Sequence, residues 1–370
     1  MNIPFVDLKT QYQIMKNSID ARIHKVLDHG AFINGPEVQE LETKLAAHTG
    51  AKYALTCASG TDALLVPLMA LGIGSGDEVI TTAFSFIATA ETICLAGAKP
   101  IYVDVDPSTY NIDVTKIEKM ITSKTKAIMP VSLYGQIADM DEINAIAKKH
   151  NLFVLEDSAQ SYGASYKGKK SGNVSLVGGT SFFPAKPLGC YGDGGAMFTS
   201  DENLFKVMKE IREHGSESRY YHTRLGVNAR LDTLQCAILL AKMERYDWEV
   251  DQRQRLGNRY NHAFAEIKKE GFKIPTIKSD RTSVWAQYTL AIADRATFQK
   301  KLTDAGVPTS IHYPRTMPDQ PWYKEHTSDA KADLTNARWA AEHVISLPLY
   351  PDMTNDIQDR VINAVLKAMA

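Results

Sequence analysis

The sequence shows no charge imbalance and no long apolar run. Its 42 lysine and arginine residues are matched by 43 aspartate and glutamate residues, which gives a formal net charge of −1 at pH 7. Proteins that mainly bind nucleic acid or membrane surfaces usually carry a basic excess, so this balance argues against both partners. No uncharged apolar run reaches the roughly 18 residues of a membrane-spanning helix, and residues 1–9 lack the apolar core of a secretory signal. We therefore expect a soluble, cytoplasmic protein.

Cysteine is also scarce. The four cysteines, Cys57, Cys94, Cys190 and Cys236, lie far apart, and no Cys-x-x-Cys pair occurs. This spacing gives no sign of a zinc or thioredoxin-type motif and predicts reduced thiols. Apolar residues, in contrast, make up 44% of the 370 residues. A chain of this length and composition buries a large core and usually forms two domains.

Strand-like and helix-like segments alternate through the first two-thirds of the chain. The strand candidates are residues 78–82, 100–104, 126–132 and 152–155, and the helix candidates between them include residues 88–96 and 140–150. This alternation predicts an α/β fold whose central sheet is mostly parallel and covered by helices on both faces. Ligands of such sheets bind at the carboxyl ends of strands, and Asp157 and Gln160 directly follow one of these runs.

A long helical pattern starts near Leu231 and is predicted to run to about Ile267. Its length suits a connector that leads into a smaller, C-terminal α/β domain. In that domain, residues 287–292 have a strand pattern, and a final helix begins near Asn355. We therefore divide the chain into a larger domain, 1–250, and a smaller one, 251–370.

Small and hydroxyl residues open an apolar helix candidate after residue 62. Gly60 and Thr61 belong to this opening, in the segment Thr-Cys-Ala-Ser-Gly-Thr-Asp. The first turn of a helix offers free backbone N–H groups and the positive end of the helix dipole, which together bind phosphate. The same residue types form ordinary helix caps, so both interpretations stay open at this point.

The most informative segment surrounds Lys186. Phe182, Phe183 and Pro184 precede this lysine closely, and a glycine-rich turn follows it. Most lysines are solvated surface charges, but an amine in an apolar setting has a lowered pKa and is a better nucleophile. Ser181, in the same segment, is a candidate hydrogen-bond donor to a phosphate.

Asp157 is the second candidate for chemistry. A carboxylate at a strand end can cap a helix, pair with a lysine or bind a metal, although residues 158–160 offer no histidine or cysteine ligand. An acid, a lysine and a hydroxyl in this order suit pyridoxal phosphate. This cofactor needs an amine for a Schiff base, an anion at its pyridinium nitrogen and donors around its phosphate.

Several ordered motifs together resemble the DegT/DnrJ/StrS family of sugar aminotransferases. They occupy residues 34–38, 58–64, 76–81, 131–136, 156–160, 181–186, 193–196 and 226–232. Each motif alone is weak, whereas the whole set in order is specific. The resemblance implies a fold-type-I architecture, pyridoxal 5′-phosphate as cofactor, and a ping-pong transfer of an amino group from glutamate to a keto sugar nucleotide.

The resemblance also implies roles for individual residues. Lys186 matches the Schiff-base lysine, Asp157 the partner of the pyridine nitrogen, and Gln160 a residue beside the cofactor hydroxyl. Phe86 matches an aromatic ring stacked on the pyridine. Without the resemblance, a phenylalanine at this position is equally well explained as an ordinary residue of the hydrophobic core. The residues that match phosphate ligands are Gly60, Thr61 and Ser181.

Further matches concern the partner subunit and the substrate. Asn228 matches a phosphate ligand donated by the neighbouring subunit, which implies a homodimer with shared sites. Arg230 matches a residue that faces a substrate carboxylate, but it is equally suited to the carboxylates of glutamate. His312 and Tyr313 match sugar or diphosphate contacts, with a buried loop anchor as the alternative.

Within the family, the resemblance is strongest to members that aminate the C3 ketone of UDP-N-acetyl-3-oxo-glucuronic acid for bacterial surface polysaccharides. Another keto sugar nucleotide, such as a TDP-3- or 4-keto-6-deoxyhexose, is the main alternative. A related branch with histidine at the position of Lys186 performs dehydration instead of transamination. A silent cofactor-binding regulator is a further alternative, although no DNA-binding module is attached.

Overall fold

The computed structural model describes residues 3–327 and 332–370. Its helices are α1 Leu8–His29, α2 Pro36–Thr49, α3 Asp62–Ala70, α4 Ala88–Leu95, α5 Met140–His150, α6 Glu202–Arg212, α7 Thr233–Met243, α8 Tyr246–Phe264, α9 Arg295–Asp304, α10 Pro321–His326, α11 Thr335–His343 and α12 Asn355–Met369. Its strands are β1 Tyr53–Cys57, β2 Glu78–Thr82, β3 Lys99–Val103, β4 Thr125–Met129, β5 Phe153–Asp157, β6 Ser165–Tyr166, β7 Lys169–Lys170, β8 Val177–Ser181, β9 Gly195–Thr199, β10 Ser216–Ser218, β11 Tyr221–His222, β12 Tyr288–Ala291 and β13 Val344–Leu347. Within these two ranges, no helix combines the length and the apolar character that crossing a membrane requires.

Seven strands form the central sheet, in the order β1-β9-β8-β5-β4-β2-β3. Strand β9 runs antiparallel to both of its neighbours, and the other neighbouring pairs are parallel. The prediction of a mostly parallel sheet is therefore confirmed. The predicted elements 78–82 and 140–150 appear as β2 and α5 with the expected bounds. Asp157 closes β5 rather than following it, because the ladder with β8 extends to this residue.

Helices cover both faces of this sheet, because neighbouring apolar side chains of a strand point to opposite sides. Ile80 and Phe198 pack into one core cluster together with residues of α2, α5 and α7. The adjacent residues Val79 and Met197 pack into another cluster, together with residues of α3 and α6. The sheet is thus buried on both sides, as the sequence pattern predicts.

A smaller sheet pairs β12 with β13 in antiparallel orientation. Apolar residues of α8, α9 and α12 pack around it and form a separate core cluster. Ile3 belongs to the same cluster, so the first described residue lies against the C-terminal part of the fold.

The predicted helix from residue 231 to about residue 267 is interrupted, which corrects our expectation. Helix α7 ends at Met243, and α8 begins at Tyr246. The residues between them, Glu244 and Arg245, are not helix breakers, so the sequence carries no stop signal there. Packing accounts for the break, since α7 lies against α1 and α2, whereas the second half of α8 packs into the C-terminal core.

Helix α8 also passes from one core to the other. Tyr246 and Val250 belong to the cluster beside the central sheet, whereas Leu256 and Tyr260 belong to the C-terminal cluster. This change of partners favours a domain boundary near residue 250, which stays a prediction.

Candidate active site

A cavity of about 430 Å³ lies at the carboxyl ends of β5 and β8, beside the first residues of α3 and α4. Nine of the eleven candidate residues line it, namely Gly60, Thr61, Phe86, Asp157, Gln160, Ser181, Lys186, His312 and Tyr313. The fold therefore brings together side chains that are up to about 250 residues apart in sequence, as expected for a ligand site at strand ends.

Lys186 lies in the loop between β8 and β9. Its backbone N–H donates to the Phe183 carbonyl at 2.8 Å, and its side chain is half-buried. Among the described residues, the amine Nζ has neither a hydrogen-bond nor an ion-pair partner. Burial lowers the pKa of Lys186, and the charge of Asp157 opposes this effect. A larger fraction of this amine is therefore unprotonated than in a surface lysine, and so is free to attack a carbonyl carbon or to accept a proton.

Asp157 is only 4% exposed. Its Oδ2 accepts a hydrogen bond of 2.7 Å from Thr89 Oγ1, and its Oδ1 accepts one of 3.1 Å from the Ala159 N–H. Burial raises the pKa of this carboxyl group, while the two donors and Lys186 act to lower it. The two hydrogen bonds fix the carboxyl group in the wall of the same cavity that contains Lys186.

The start of α3 forms one end of the cavity. Ser59 caps this helix, since its Oγ accepts a hydrogen bond of 3.0 Å from the Asp62 N–H. In the described chain, the N–H groups of Gly60 and Thr61 have no protein partner, as is usual for a first helical turn. A Cβ at residue 60 would lie 2.5 Å from the Cβ of Ser181, so glycine permits this close approach. Two free N–H groups beside a serine hydroxyl fit a phosphate dianion.

Gln160 connects two tyrosines at the cavity wall. Its Oε1 accepts a hydrogen bond of 2.8 Å from the Tyr134 N–H, and its Nε2 donates one of 3.0 Å to Tyr313 Oη. Phe86 lies with its ring centre 5.9 Å from that of Tyr313. Because Phe86 is 52% exposed, the alternative of plain core is wrong for this residue.

His312 is anchored as well as facing the cavity. Its Nδ1 lies 2.9 Å from Ser346 Oγ, and its carbonyl oxygen accepts a hydrogen bond from the Tyr134 hydroxyl. Burial, with a smaller contribution from Lys186, lowers the pKa of His312 to about 4. The imidazole is therefore neutral at pH 7. The loop is thus anchored, as the alternative interpretation has it, and both side chains line the cavity, while their contact with sugar or diphosphate stays a prediction.

Asn228 and Arg230 line a second cavity, of about 410 Å³. Asp193 lines both cavities, which places the second one beside the loop of Lys186. Asn228 is exposed, and the Nε of Arg230 is buried without a hydrogen-bond partner in the described chain. The structure of one chain thus keeps these two residues apart from the other nine.

Sequence reasoning missed several residues of the site. Thr89 binds Asp157, Ser59 caps α3, and Tyr134 donates to Gln160. Gln287 lines the cavity, and its buried Oε1 has no hydrogen-bond partner among the described residues. Nothing in the sequence near Thr89 or Gln287 signals a role, because their contacts are formed only by the tertiary fold. Of these residues, only Ser59 could have been found from the sequence, because a serine before an apolar helix is a typical helix cap.

A family model described as the DegT/DnrJ/EryC1/StrS aminotransferase family matches residues 13–366. The chain belongs to this family. It is accordingly an aminotransferase that depends on pyridoxal 5′-phosphate, and it has the fold-type-I architecture predicted from its motifs. The amine of Lys186, the buried carboxyl group of Asp157 and the unpaired N–H groups at the start of α3 fit the amine, anion and phosphate donors that this cofactor needs.

Individual relatives match over nearly the whole chain. A UDP-2-acetamido-2-deoxy-3-oxo-D-glucuronate aminotransferase from Pseudomonas aeruginosa is 54% identical over 349 residues, which cover 94% of this chain and 95% of that protein. A pleiotropic regulatory protein from Geobacillus stearothermophilus is 42% identical, with 99% and 98% covered. A Bacillus subtilis protein crystallised with the bound cofactor PMP has a TM-score of 0.91 and 33% identity, with 100% of this chain and 85% of that chain covered.

Proposed function

We propose that this protein transfers the amino group of glutamate to the C3 ketone of UDP-N-acetyl-3-oxo-glucuronic acid, in the cytoplasm, for bacterial surface polysaccharides. The observation that carries the transfer chemistry is the unpartnered amine of Lys186 beside the buried carboxyl group of Asp157 in one cavity. The choice of sugar rests on the 54% identity to the Pseudomonas aeruginosa enzyme.

Lys186 has two tasks in this proposal. Its amine would hold the cofactor covalently between turnovers. When bound, pyridoxal phosphate withdraws electrons from the carbon next to the substrate nitrogen, so that the proton on this carbon becomes acidic. The amine of Lys186 would take up this proton as a general base and return it as a general acid. The pKa of Lys186, lowered by burial, suits a group that must act in both directions.

Asp157 would keep the pyridine nitrogen of the cofactor protonated. Thr89 and the Ala159 N–H bind its two oxygens from the protein side, so the carboxyl group keeps one direction during the reaction. We further propose that Phe86 stacks on the pyridine ring and that Gln160 contacts the ring hydroxyl. The N–H groups of Gly60 and Thr61 and the Ser181 hydroxyl would hold the phosphate.

The active unit in this proposal is a homodimer. Asn228 and Arg230 lie outside the cavity of their own chain, which supports their donation to the site of a partner subunit. The buried, unpartnered Nε of Arg230 leaves its guanidinium with donors to spare for a carboxylate.

Arg230 faces the uronate in one half-reaction and the donor glutamate in the other. His312, neutral at pH 7, and Tyr313 contact the sugar or its diphosphate. A 6-deoxy sugar has a methyl group in place of the carboxylate and leaves the guanidinium unpaired. Leaving a charged donor unsatisfied costs about 1–3 kcal/mol, or roughly tenfold to a hundredfold in specificity.

The test separates the two half-reactions by single turnover in wild type, Arg230→Lys and Arg230→Ala. We expect Arg230→Ala to reduce the preference for the uronate over a TDP-3-keto-6-deoxyhexose, and Arg230→Lys to keep part of it, since lysine retains the charge but not the fork. If wild type aminates both sugars equally well, the uronate assignment is wrong and the 6-deoxy alternative gains.

Two other functions are addressed by the same experiment. A sugar dehydratase on this cofactor would release no 2-oxoglutarate from glutamate, and a silent regulator would leave its visible absorption unchanged when glutamate is added. The 42% identity to a pleiotropic regulatory protein is the reason to test the regulator alternative by this absorption measurement. Release of 2-oxoglutarate with glutamate alone contradicts both alternatives.

A further inference from the structure

Lys242, on α7, is a buried lysine that lies outside the cavity. Its side chain is 2% exposed, and its Nζ donates a hydrogen bond of 2.6 Å to the Gly189 carbonyl. The same Nζ lies 4.4 Å from the centre of the Tyr191 ring. Lysine is rarely buried without partners, because the loss of hydration of an ammonium group is costly. Here both partners, the Gly189 carbonyl and the Tyr191 ring, belong to one loop. The contacts of Lys242 therefore point to a role in holding this loop.

That loop joins β8 to β9 and carries Lys186. It is closed by backbone hydrogen bonds, from the Phe182 N–H to the Gly194 carbonyl at 2.7 Å and from the Cys190 N–H to the Phe182 carbonyl at 2.8 Å. Residues 182–194 themselves contain no regular helix or strand. The position of Lys186 therefore depends on the contacts that the loop makes with its surroundings.

Helix α7 holds the loop at two neighbouring points. Gln235 Oε1 accepts a hydrogen bond of 2.8 Å from the Tyr191 N–H, and Lys242 binds the Gly189 carbonyl. In the described chain, Lys242 is the only donor to this carbonyl. Because Gly189 is only three residues after Lys186, we expect a displacement of the Gly189 backbone to shift Lys186 as well.

We propose that Lys242 is a positioning residue, which fixes the loop through the Gly189 carbonyl and thereby sets the place of the Lys186 amine. This inference rests on the proposed role of Lys186 in the transfer. It does not assign Lys242 any contact with cofactor or substrate, because Lys242 does not line the cavity.

Burial and the neighbouring charged or titratable groups determine the pKa of Lys242. Glu249 of α8 and Cys190 and Tyr191 of the loop face it, and Tyr12 of α1 packs against the Tyr191 ring. Burial lowers the pKa of Lys242 to about 8, despite the opposing charge of Glu249. A lowered pKa means that the charged form of Lys242 destabilises the folded state. A contribution to folding stability therefore does not explain why a lysine is buried at this position.

The sign of the pH dependence follows from proton linkage. The unfolded chain keeps this proton up to the ordinary value of 10.5, whereas the folded chain releases it near pH 8. Between these values the unfolded state binds more protons, so the contribution of Lys242 to stability rises with pH. A variant without the amine lacks this rise, and its stability relative to wild type is therefore most favourable below pH 8.

Lys242→Met and Lys242→Gln form the test pair, because methionine keeps the length without a donor and glutamine keeps an uncharged donor. Three measurements are made: kcat and KM of the holoenzyme, urea unfolding of the cofactor-free protein, and amide hydrogen exchange of residues 182–194 in the cofactor-free protein. We expect Lys242→Met to lower kcat about tenfold to a hundredfold with little change in KM, since small displacements of a reacting group have effects of this size.

In the same variant, exchange in residues 182–194 should accelerate while exchange in the central strands stays as in wild type, with partial rescue in Lys242→Gln. Unchanged kcat and unchanged loop exchange in Lys242→Met would overturn the proposal. So would equal acceleration throughout the chain with a matching loss of unfolding free energy, which indicates a structural role only. The exchange readout needs no cofactor, so it stands apart from the role of Lys186, which Lys186→Ala tests separately.

Discussion

Thr89 Oγ1 donates a hydrogen bond of 2.7 Å to Oδ2 of Asp157, and so joins the first turn of α4 to the end of β5. The bond is buried and spans 68 residues of sequence. A short threonine side chain on a helix is a rigid donor, because its χ1 angle is restricted. The direction of the carboxyl group, on which the proposed chemistry depends, is therefore set by a neighbouring helix.

Thr89→Val should lower the rate of the glutamate half-reaction about tenfold, because one charge-assisted hydrogen bond of about 1–2 kcal/mol is lost without a change of shape. Thr92→Val is the matched control on the same helix, since Thr92 Oγ1 donates only to backbone carbonyls of its own helix. Stopped-flow spectroscopy with glutamate checks both. Equal rates in wild type and Thr89→Val would show that this bond does not matter for turnover.

Gly60→Ala should weaken cofactor binding at least tenfold, because the added Cβ would lie 2.5 Å from Ser181 Cβ and displace the start of α3. Gly74→Ala is the control, since a Cβ there meets only the Ala96 carbonyl at 3.6 Å. Equilibrium dialysis of the cofactor measures both variants. The cradle assignment fails if Gly60→Ala binds cofactor as tightly as the control.

His312 should make the protein less stable in weak acid. The unfolded chain binds a proton at His312 near pH 6.5, whereas the folded chain does so only near pH 4. Its contribution to stability is therefore full above pH 6.5 and is lost as the pH falls towards 4, by less than roughly 3 kcal/mol. Urea unfolding at a series of pH values should show a smaller loss for His312→Gln than for wild type. Parallel pH profiles would contradict the buried, neutral imidazole.

Shared sites should allow two inactive variants to complement each other. Lys186→Ala lacks the reactive amine, and an Asn228→Ala/Arg230→Ala double variant lacks the groups proposed to act across the interface. A refolded mixture should regain activity, because one site of each mixed dimer then carries both sets of native residues. Sedimentation measures the assembly in parallel. An active monomer, or a mixture as inactive as its components, would refute sharing.

Much of the central sheet was predictable from the sequence, for local reasons. β2 and α5 have the predicted bounds, because turns or caps delimit a short apolar run and an amphipathic helix in each case. The break between α7 and α8 was not predictable, since Glu244 and Arg245 are ordinary helix formers and tertiary packing decides the break.

The residues of the site likewise fall into those that the sequence revealed and those that it did not. Lys186, Asp157 and Ser181 were found because the acid, the hydroxyl and the amine follow one another at strand ends and loops. Thr89, Tyr134 and Lys242 were not found, because each acts on a residue that is distant in sequence, and isolated polar residues in helices and loops carry no pattern. Asn228 and Arg230 were assigned by resemblance alone, and their proposed partner site requires a second chain.

The most direct measurement of the central claim is nitrogen transfer followed by mass spectrometry. The holoenzyme is mixed with UDP-N-acetyl-3-oxo-glucuronic acid and glutamate whose amino group carries a heavy nitrogen isotope, and Lys186→Ala is treated in the same way. The account predicts that the wild-type product carries the heavy nitrogen on the sugar, with an equal amount of 2-oxoglutarate, and that Lys186→Ala forms neither in multiple turnovers. Sugar without the label, or wild-type turnover in Lys186→Ala, would contradict it.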